Sequence, residues 1–347
     1  MKSLVYHGRR DIRCEEVADP IISGPGAAIV QIHACGICGS DLHPYHLDMG
    51  RSFCIGHEAV GEVVETGPEV SRFKVGDRVL VAGSLCCGAC DPCRRGYAML
   101  CERSPYPRVF GQGLPGVGGC QSEAVEVPIA DHNLRRLPLG MSDELGVMLT
   151  DTLATAWQCA KMGKVSGQGS VAVIGLGAVG LQCVLSAFAM GAEQVFGIDL
   201  IEERRQAAAE FGAVPLDGGV ALQQIMDMTS GRGVATVLDA TGGPQTMELA
   251  LQIARKGGVI SVAGVPESAS MPFPIMAALV KNLEINFVTC SVQAQLAEVF
   301  EALDAGRLKA EAVNSLITHR LPLAKGPEAY ALFDARTDGV KKIILTT

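Results

Sequence analysis

Hydrophobic residues in the first part of the chain, up to about residue 145, fall in short runs that Gly and Pro separate. Such runs lie at 27–33, 61–66 and 77–81, and residues 1–7 follow the same pattern. Short apolar runs bounded by turn residues are typical of strands in an all-β unit. We therefore predict a barrel-like β domain, followed by helical spacing over 141–164.

From residue 170 onward, strand-like runs alternate with helical stretches. The predicted strands lie at 171–175, 194–198, 214–216, 234–238, 259–263 and 284–288. The predicted helices between them lie at 178–190, 202–211, 221–228 and 244–255. This alternation predicts a doubly wound parallel sheet, and six strands are what two mononucleotide-binding halves supply. The tail after about residue 289 is too small for its own core, so we expect it to return to the first domain.

The composition narrows the class of protein. With 347 residues, of which 48% are hydrophobic, the chain can form two domains with large cores. We find no unbroken apolar run of about eighteen residues and no signal-peptide pattern at the N-terminus. A net charge of −8 argues against nucleic acid and acidic membranes as partners. Thirteen cysteines, five of them between Cys86 and Cys101, then indicate reduced thiols and metal, and hence a cytoplasmic protein.

A glycine turn predicts a dinucleotide site. Gly175, Gly177 and Gly180 form a GxGxxG string directly after a predicted strand and at the start of a helix, and Asp199 ends the next strand. The glycines let the backbone approach a pyrophosphate at the helix N-terminus, and Asp199 would accept hydrogen bonds from the adenosine ribose. Asp199 would repel a 2′-phosphate, which favours NAD. Arg204 and its neighbour Arg205 either offset that charge or form a solvated helix face.

Four cysteines form a compact second cluster. Cys87, Cys90, Cys93 and Cys101 are close enough in sequence to surround one tetrahedral zinc ion with no open position, which is typical of a structural site. An iron–sulfur cluster is the alternative, since short cysteine spacings also suit such clusters.

A third group of possible ligands lies between Cys35 and Glu58. Cys38 and His57 offer a soft thiolate and an imidazole, and carboxylates at Asp41 and Glu58 could orient the histidine. Zinc accepts sulfur and nitrogen together, and a catalytic zinc site keeps one position open. The alternative is a buried cysteine beside a histidine that only satisfies a backbone group.

Together these motifs resemble the zinc-containing medium-chain alcohol and polyol dehydrogenases. The resemblance covers nearly the whole chain, from the GICGSD segment at 36–41 to the tail at 316–319. It implies an α/β protein with a GroES-like β-rich catalytic domain, a Rossmann six-stranded parallel sheet, and a cleft that holds zinc and nicotinamide. The expected boundaries are a catalytic domain with its metal lobe, a Rossmann domain and a C-terminal return, at 1–152 (lobe 86–101), 153–289 and 290–347.

The resemblance also assigns the metal ligands. Cys38 and His57 match the first two catalytic zinc ligands, and Asp151 matches the third, where animal alcohol dehydrogenases carry a second Cys. Asp151 as a helix cap remains the alternative for that residue. Glu58 is expected behind the metal or as an alternative ligand. Two zinc ions per chain follow, one catalytic and one structural.

Further roles are implied by the same likeness. Zinc would lower the pKa of the substrate alcohol, Ser40 would take its proton and His43 would pass it to solvent, while a hydride moves to nicotinamide. A surface histidine is the alternative for His43. Lys342 matches a position that reaches the pyrophosphate, and Gly264 with Val265 matches the strand end beneath the nicotinamide.

The segment around residue 120 departs from the family pattern. The loop 102–121 is shorter than in the animal enzymes, and an aromatic-ending segment is replaced by Cys120-Gln121-Ser122-Glu123-Ala124. A substrate cleft beside it should therefore differ from family norms, and the candidate substrates are secondary alcohols, polyols and aldehyde hydrates. The rival functions are a non-catalytic NAD-binding sensor or structural protein that keeps the fold, and a zinc-ribbon interaction module. The family implies a homodimer or homotetramer.

Overall fold

The computed structural model divides the chain into two compact units. The described residues are 1–104, 109–113, 116–167, 169–266, 268 and 270–347, so parts of the loop 102–121 lie outside them. The first unit contains residues 1–152, 290–296 and 313–347, and the second contains 153–289 and 297–312. Residues 297–312, expected in the C-terminal return, thus group with the second unit. Within the described ranges, no helix combines the length and apolar character needed to cross a membrane.

Up to residue 149, the described residues of the first unit form eight strands and four short α-helices. The strands are β1 (Lys2–Gly8), β2 (Asp11–Glu16), β3 (Ala28–Gly36), β4 (Phe53–Cys54), β5 (Ala59–Thr66), β6 (Arg78–Val81), β7 (Ala124–Val127) and β8 (Leu134–Arg136). The helices are α1 (Leu42–His46), α2 (Asp91–Arg94), α3 (Ala130–Asn133) and α4 (Asp143–Leu149).

The second unit is the doubly wound parallel sheet that the alternating pattern predicts. Its strands are β9 (Ser170–Ile174), β10 (Gln194–Asp199), β11 (Val214–Asp217), β12 (Val234–Asp239), β13 (Ala254–Val262) and β14 (Glu284–Phe287). Its helices are α5 (Thr152–Met162), α6 (Ala178–Ala189), α7 (Glu202–Glu210), α8 (Ala221–Met228), α9 (Pro244–Ile253) and α10 (Ile275–Lys281). The order β11-β10-β9-β12-β13-β14, with every pairing parallel, confirms this part of the fold prediction.

The residues after β14 end in the first sheet, although 297–312 group with the second unit. They form α11 (Val292–Asp304), α12 (Ala310–Asn314), β15 (Ile317–Pro322), α13 (Gly326–Ala335) and β16 (Lys342–Thr346). β16 pairs antiparallel with β3, placing Leu345 opposite Cys35, and extends the sheet β15-β16-β3-β5-β6-β8, in which β7 also pairs with β3. A smaller sheet, β2-β1-β4, packs on the same core, where Tyr6 and Tyr330 are fully buried.

Candidate active site and metal centres

Cys38 is placed by the end of β3 and the turn of 3₁₀ helix that follows it. The Cys38 N–H donates to Asp41 Oδ2 at 3.0 Å, which closes the turn. Gly36 allows this course, because a Cβ at that position would stand 2.0 Å from Glu58 Oε2. The thiol is nearly buried, with Cys38 7% exposed.

His57 is oriented by a carboxylate behind its ring. It follows Gly56, whose φ of +95° lies in the left-handed region that favours glycine. His57 Nδ1 lies 3.0 Å from Asp41 Oδ1, although the two groups are not aligned as a full hydrogen bond. Because Nδ1 faces Asp41, Nε2 is the nitrogen that remains to bind a metal. Asp41 thus lies where the sequence predicted a carboxylate that orients the histidine.

Asp151 lies between the end of α4 and the start of α5. The Ser142 hydroxyl caps α4 by accepting the Leu145 N–H at 3.2 Å, and the Thr150 carbonyl accepts the Gly83 N–H at 2.9 Å. These bonds hold the chain on both sides of α4. Asp151 Oδ2 then lies 3.3 Å from Cys38 Sγ and 3.3 Å from His57 Nε2.

The resulting group fits a zinc ion. The possible ligand atoms of Cys38, His57, Glu58 and Asp151 all lie within 4.8 Å of one another. Ligands about 2.0–2.3 Å from a tetrahedral zinc ion are roughly 3.3–3.8 Å apart, which the two contacts of Asp151 match. One thiolate, one carboxylate and one neutral imidazole also balance the +2 charge. The donor set therefore suits zinc with a position left open.

The same contacts set the protonation of the group. Burial raises the pKa of Asp151, but its hydrogen bond and charge contact with His57 outweigh this and lower the pKa to about 2. Burial alone would lower the pKa of His57, but Asp41, Asp151 and Cys38 raise it well above its ordinary value. Metal binding must displace that proton, because only the neutral imidazole is a ligand.

Ser40 borders this site. Its hydroxyl lies 3.2 Å from Cys38 Sγ and 3.4 Å from His57 Nε2. His43 is half-buried on α1, one turn further along the chain, and makes no hydrogen bond or ion pair within the described ranges. The structure thus brings Ser40 to the candidate metal ligands, while the side chain of His43 has no hydrogen-bond or ion-pair partner among the described residues.

Lys342 lies behind the candidate metal ligands, where it is paired with Glu58, and its expected contact with a cofactor pyrophosphate stays a prediction. Its side chain is fully buried, and its ammonium donates to Glu58 Oε2 and, at 3.1 Å, to the Ile37 carbonyl. Burial would lower the pKa of Lys342, but the charge of Glu58 raises it, so the ammonium stays protonated. The side chain is occupied by Glu58 because β16 runs beside β3.

The four cysteines of the lobe, Cys87, Cys90, Cys93 and Cys101, also lie close together. Its sulfur atoms lie 3.3 Å (Cys90 to Cys93), 3.8 Å (Cys90 to Cys101) and 4.0 Å (Cys87 to Cys93) apart. Sulfurs about 2.3 Å from one tetrahedral ion are roughly 3.8 Å apart, so these distances suit a single ion. A four-iron cluster binds each cysteine through a different iron and needs wider spacing.

Backbone N–H groups donate to these sulfurs and stabilise their thiolate form. The N–H groups of Cys87 and Ser104 donate to Cys101 Sγ at 3.3 Å, and that of Cys90 donates to Cys87 Sγ at 3.4 Å. Desolvation raises the pKa of Cys90, but hydrogen bonds from the Glu102 backbone and neighbouring thiols lower it to about 6. Metal binding requires such thiolates.

In the second unit, Gly175, Gly177 and Gly180 differ in what a side chain at each position would meet. Gly175 has a φ of +84°, and a Cβ at Gly180 would stand 1.7 Å from the Gly175 carbonyl oxygen, so the helix could not pack there. A Cβ at Gly177 would meet nothing within 4 Å. The N–H groups of residues 177–180 find no acceptor in the described part of the chain. An open space in front of free N–H groups fits a phosphate at the α6 N-terminus.

Asp199 ends β10 beside this turn. Its Oδ2 accepts the Leu176 N–H at 2.7 Å, and its Oδ1 accepts the Ile201 N–H at 2.9 Å. Arg204 Nη1 lies 3.7 Å from the carboxylate, whereas Arg205 is engaged by Asp217 and the Asp199 carbonyl. Of the two arginines, Arg204 is therefore the one near the carboxylate.

The chain matches known families over both units. Residues 24–138 match the alcohol dehydrogenase GroES-like domain, and residues 178–305 match the zinc-binding dehydrogenase domain. A Mycobacterium tuberculosis protein described as a probable zinc-binding alcohol dehydrogenase is 38% identical over 97% of this chain and 86% of its own length. The chain belongs to the zinc-type alcohol dehydrogenase family. Membership confirms the predicted family and indicates an oxidoreductase acting on alcohols.

Solved structures of this family share the fold. An alcohol dehydrogenase from Thermus sp. ATN1 superposes with a TM-score of 0.91 at 35% identity, covering 100% of this chain and 99% of that one. A short chain alcohol dehydrogenase from E. coli CFT073, complexed with NADH, has a TM-score of 0.87 at 26% identity and covers 100% and 99%.

Gly264 and Val265, which are expected to lie beneath the nicotinamide, come just after β13. A Cβ at Gly264 would stand 2.1 Å from the Thr241 carbonyl carbon, so glycine is needed for the close approach of two backbones. Val265 is 58% exposed. Asp239, fully buried, holds the neighbouring turn by accepting from the Thr241 hydroxyl at 2.6 Å and the Gly242 N–H at 3.1 Å.

Sequence reasoning missed Asn133 at the base of the metal lobe of this dehydrogenase. The fully buried side chain accepts the Cys86 N–H at 2.9 Å and donates to the Cys86 carbonyl at 3.2 Å and the Pro128 carbonyl at 2.8 Å. Gln293 donates to the same Asn133 oxygen at 3.1 Å. Cys86, which directly precedes the four candidate ligands, thus anchors the lobe through its backbone. An isolated asparagine 47 residues away gives no local signal of this.

Proposed function

We propose that the protein transfers a hydride between an alcohol and NAD, with zinc bound by Cys38, His57 and Asp151. The observation that carries this proposal is the convergence of these three ligand atoms, with Asp151 Oδ2 3.3 Å from each of the other two. Bound zinc would supply a Lewis acid that makes an alcohol easier to deprotonate. The chain's contribution is a buried, oriented donor set with one position free.

Ser40 is the proposed proton acceptor from the substrate hydroxyl. Its oxygen lies 3.2 Å from Cys38 Sγ and 3.4 Å from His57 Nε2, so a substrate oxygen near the ligands would also be near this hydroxyl. His43 is the proposed next proton carrier, because an imidazole can both accept and donate a proton and no other group in the described ranges engages it. Glu58, held by Lys342, is proposed to stay behind the metal.

The four-cysteine lobe is proposed to hold a second, structural zinc ion. Its sulfur spacing suits one ion, and four protein ligands leave no position for substrate. Because both metal groups need thiolates and none of the thirteen cysteines, all within the described ranges, is in a disulfide, we also propose a reducing compartment such as the cytoplasm.

NAD is the proposed cofactor. Asp199 presents a carboxylate at the end of β10, where it would accept hydrogen bonds from the ribose of a bound dinucleotide. The same carboxylate would repel a 2′-phosphate on that ribose. Arg204, 3.7 Å from that carboxylate, weakens the repulsion without removing it. The E. coli relative complexed with NADH supports this choice. Gly264 and Val265 are proposed to border the nicotinamide.

The proposed substrates are small secondary alcohols, polyols or aldehyde hydrates, with the matching carbonyl compounds in the reverse direction. The proposed assembly is a homodimer or homotetramer. Large apolar side chains stay exposed along α10 and the sheet-edge strand β14, including Ile275 (69%), Leu279 (66%) and Phe287 (63%). Burial of such a patch against a second copy would be favourable.

A substrate panel with NAD or NADP, monitored by nicotinamide absorbance, tests the proposal. We expect turnover of at least one alcohol class, a higher kcat/KM with NAD, and two zinc ions per chain. NAD binding without turnover of any alcohol, carbonyl or hydrate would favour the sensor alternative. Metal analysis that finds a single zinc ion in fully active protein would contradict the two-zinc assignment.

A further inference from the structure

A buried chain of hydrogen bonds runs from α13 to the carboxylate behind His57. The Tyr330 hydroxyl donates to Gln121 Oε1 at 2.8 Å. Gln121 Nε2 donates to Asp41 Oδ2 at 3.2 Å and to the Gly36 carbonyl at 2.9 Å. Asp41 Oδ1 in turn lies 3.0 Å from His57 Nδ1. Tyr330 and Gln121 are fully buried, so water does not compete for these bonds.

The backbone fixes the position of Gln121. Its N–H donates to the Ile55 carbonyl at 3.0 Å, and its carbonyl accepts the Leu4 N–H at 2.8 Å. Its side chain also packs on Gly56, where an added Cβ would stand 2.4 Å from Gln121 Cγ. Gln121 therefore contacts both the residue before His57 and the carboxylate behind its ring.

The amide of Gln121 has one favourable orientation. In it, both N–H bonds face acceptors, Gly36 O and Asp41 Oδ2, and the oxygen faces the Tyr330 hydroxyl. Turning the amide over would place its oxygen against two other oxygens. Burial and the charge of Asp41 raise the pKa of Tyr330 well above its usual range, which keeps the phenol protonated as the donor.

Asp41 is consequently restrained on both sides. Its Oδ2 accepts from the Cys38 N–H at 3.0 Å as well as from Gln121, and these bonds decide where Oδ1 meets the imidazole. Packing alone would not require an amide N–H of Gln121 to point at this carboxylate. Outer partners of a metal-binding histidine set the orientation and basicity of its ring.

We propose that Gln121 and Tyr330 are positioning residues for His57, acting through Asp41 and setting the metal affinity of the catalytic site. This inference rests on the proposed zinc site at Cys38, His57 and Asp151. Gln121 belongs to the segment around residue 120, where the sequence departs from the aromatic-ending family pattern.

Metal affinity of the two sites, measured separately, tests the proposal. Co²⁺ bound through four thiolates absorbs far more strongly in the charge-transfer region than Co²⁺ bound through one, so a competing chelator can be followed at each site. We expect Gln121→Met to raise the Co²⁺ dissociation constant of the catalytic site about tenfold and Tyr330→Phe about threefold. The d–d bands of that site should shift, and the lobe should be unchanged.

Tyr6→Phe is the matched control. Tyr6 is also fully buried, and its hydroxyl donates to the Leu47 carbonyl at 2.5 Å in the same unit, without contacting Asp41. This variant should keep both metal affinities within about twofold of the parent.

Unchanged catalytic-site affinity and d–d bands in Tyr330→Phe and Gln121→Met would overturn the inference. So would equal weakening of the lobe, or an equal effect of Tyr6→Phe. If Gln121→Met does not fold, Tyr330→Phe decides alone. A parent protein that binds metal only in the lobe would instead refute the proposed function, and the inference with it.

Discussion

Replacing Lys342 by Met distinguishes the two roles that this side chain was given. Sequence resemblance places it at the cofactor pyrophosphate, whereas the structure buries it against Glu58 and the Ile37 carbonyl. Met has nearly the same length without the charge, so packing is kept while the ion pair is lost. The variant should therefore unfold more easily and still bind NAD normally.

The expected loss follows from burial. Both side chains are at most 1% exposed, and Glu58 Oε1 has no hydrogen-bond partner in the described ranges. Removing one partner of a buried ion pair costs about 3–5 kcal/mol, because the other charge stays buried without compensation. In a domain of 150–250 residues each kcal/mol lowers Tm by about 2–4 °C, so a decrease of roughly 6–20 °C is expected.

The assay is thermal and urea unfolding of the metal-loaded protein, together with the Kd for NAD. Lys341→Met is the matched control, since Lys341 forms no ion pair in the described ranges, and it should change stability by less than about 0.5 kcal/mol. Adding Glu58→Gln to Lys342→Met should recover part of the loss. A stability change below about 1 kcal/mol, with NAD binding weakened about tenfold, would refute the buried-pair account and restore the pyrophosphate role.

Four further outcomes are expected. Asp151→Asn should sharply lower zinc content at the catalytic site while the lobe keeps its metal; full zinc content and rate would make Asp151 only a helix cap. Cys93→Ser should release the lobe metal and lower Tm, and an unchanged metal count would exclude the four-thiolate site. Gly177→Ala should fold normally but weaken NAD binding about tenfold or more, because its Cβ enters the open space proposed for the phosphate. The control Gly180→Ala should lower Tm as well, because its Cβ would meet the Gly175 carbonyl oxygen. Equal NAD affinity in the parent and Gly177→Ala would show that the phosphate does not bind in this space. Asp199→Asn should narrow the kcat/KM preference for NAD over NADP about tenfold, and an unchanged ratio would assign the preference elsewhere.

Features encoded within a short stretch were predictable from the sequence. The alternation of strands and helices predicted the parallel sheet, because each strand and helix displays its own periodicity locally. The turn from Gly175 to Gly180 and the cluster from Cys87 to Cys101 were also visible. In both, the residues that act together are neighbours in the chain, so their spacing alone describes most of the site.

Contacts between distant parts of the chain were decided only by the tertiary structure. Asp151 was identified through family likeness, since its place 113 residues from Cys38 has no local signature. Glu58 and Lys342 are 284 residues apart, and Gln121 and Tyr330 are 209 apart. Whether a lysine reaches solvent or a buried carboxylate depends on how β16 lies against β3. That pairing, and the burial it produces, comes from packing of the whole first unit, so no local pattern of residues could specify it.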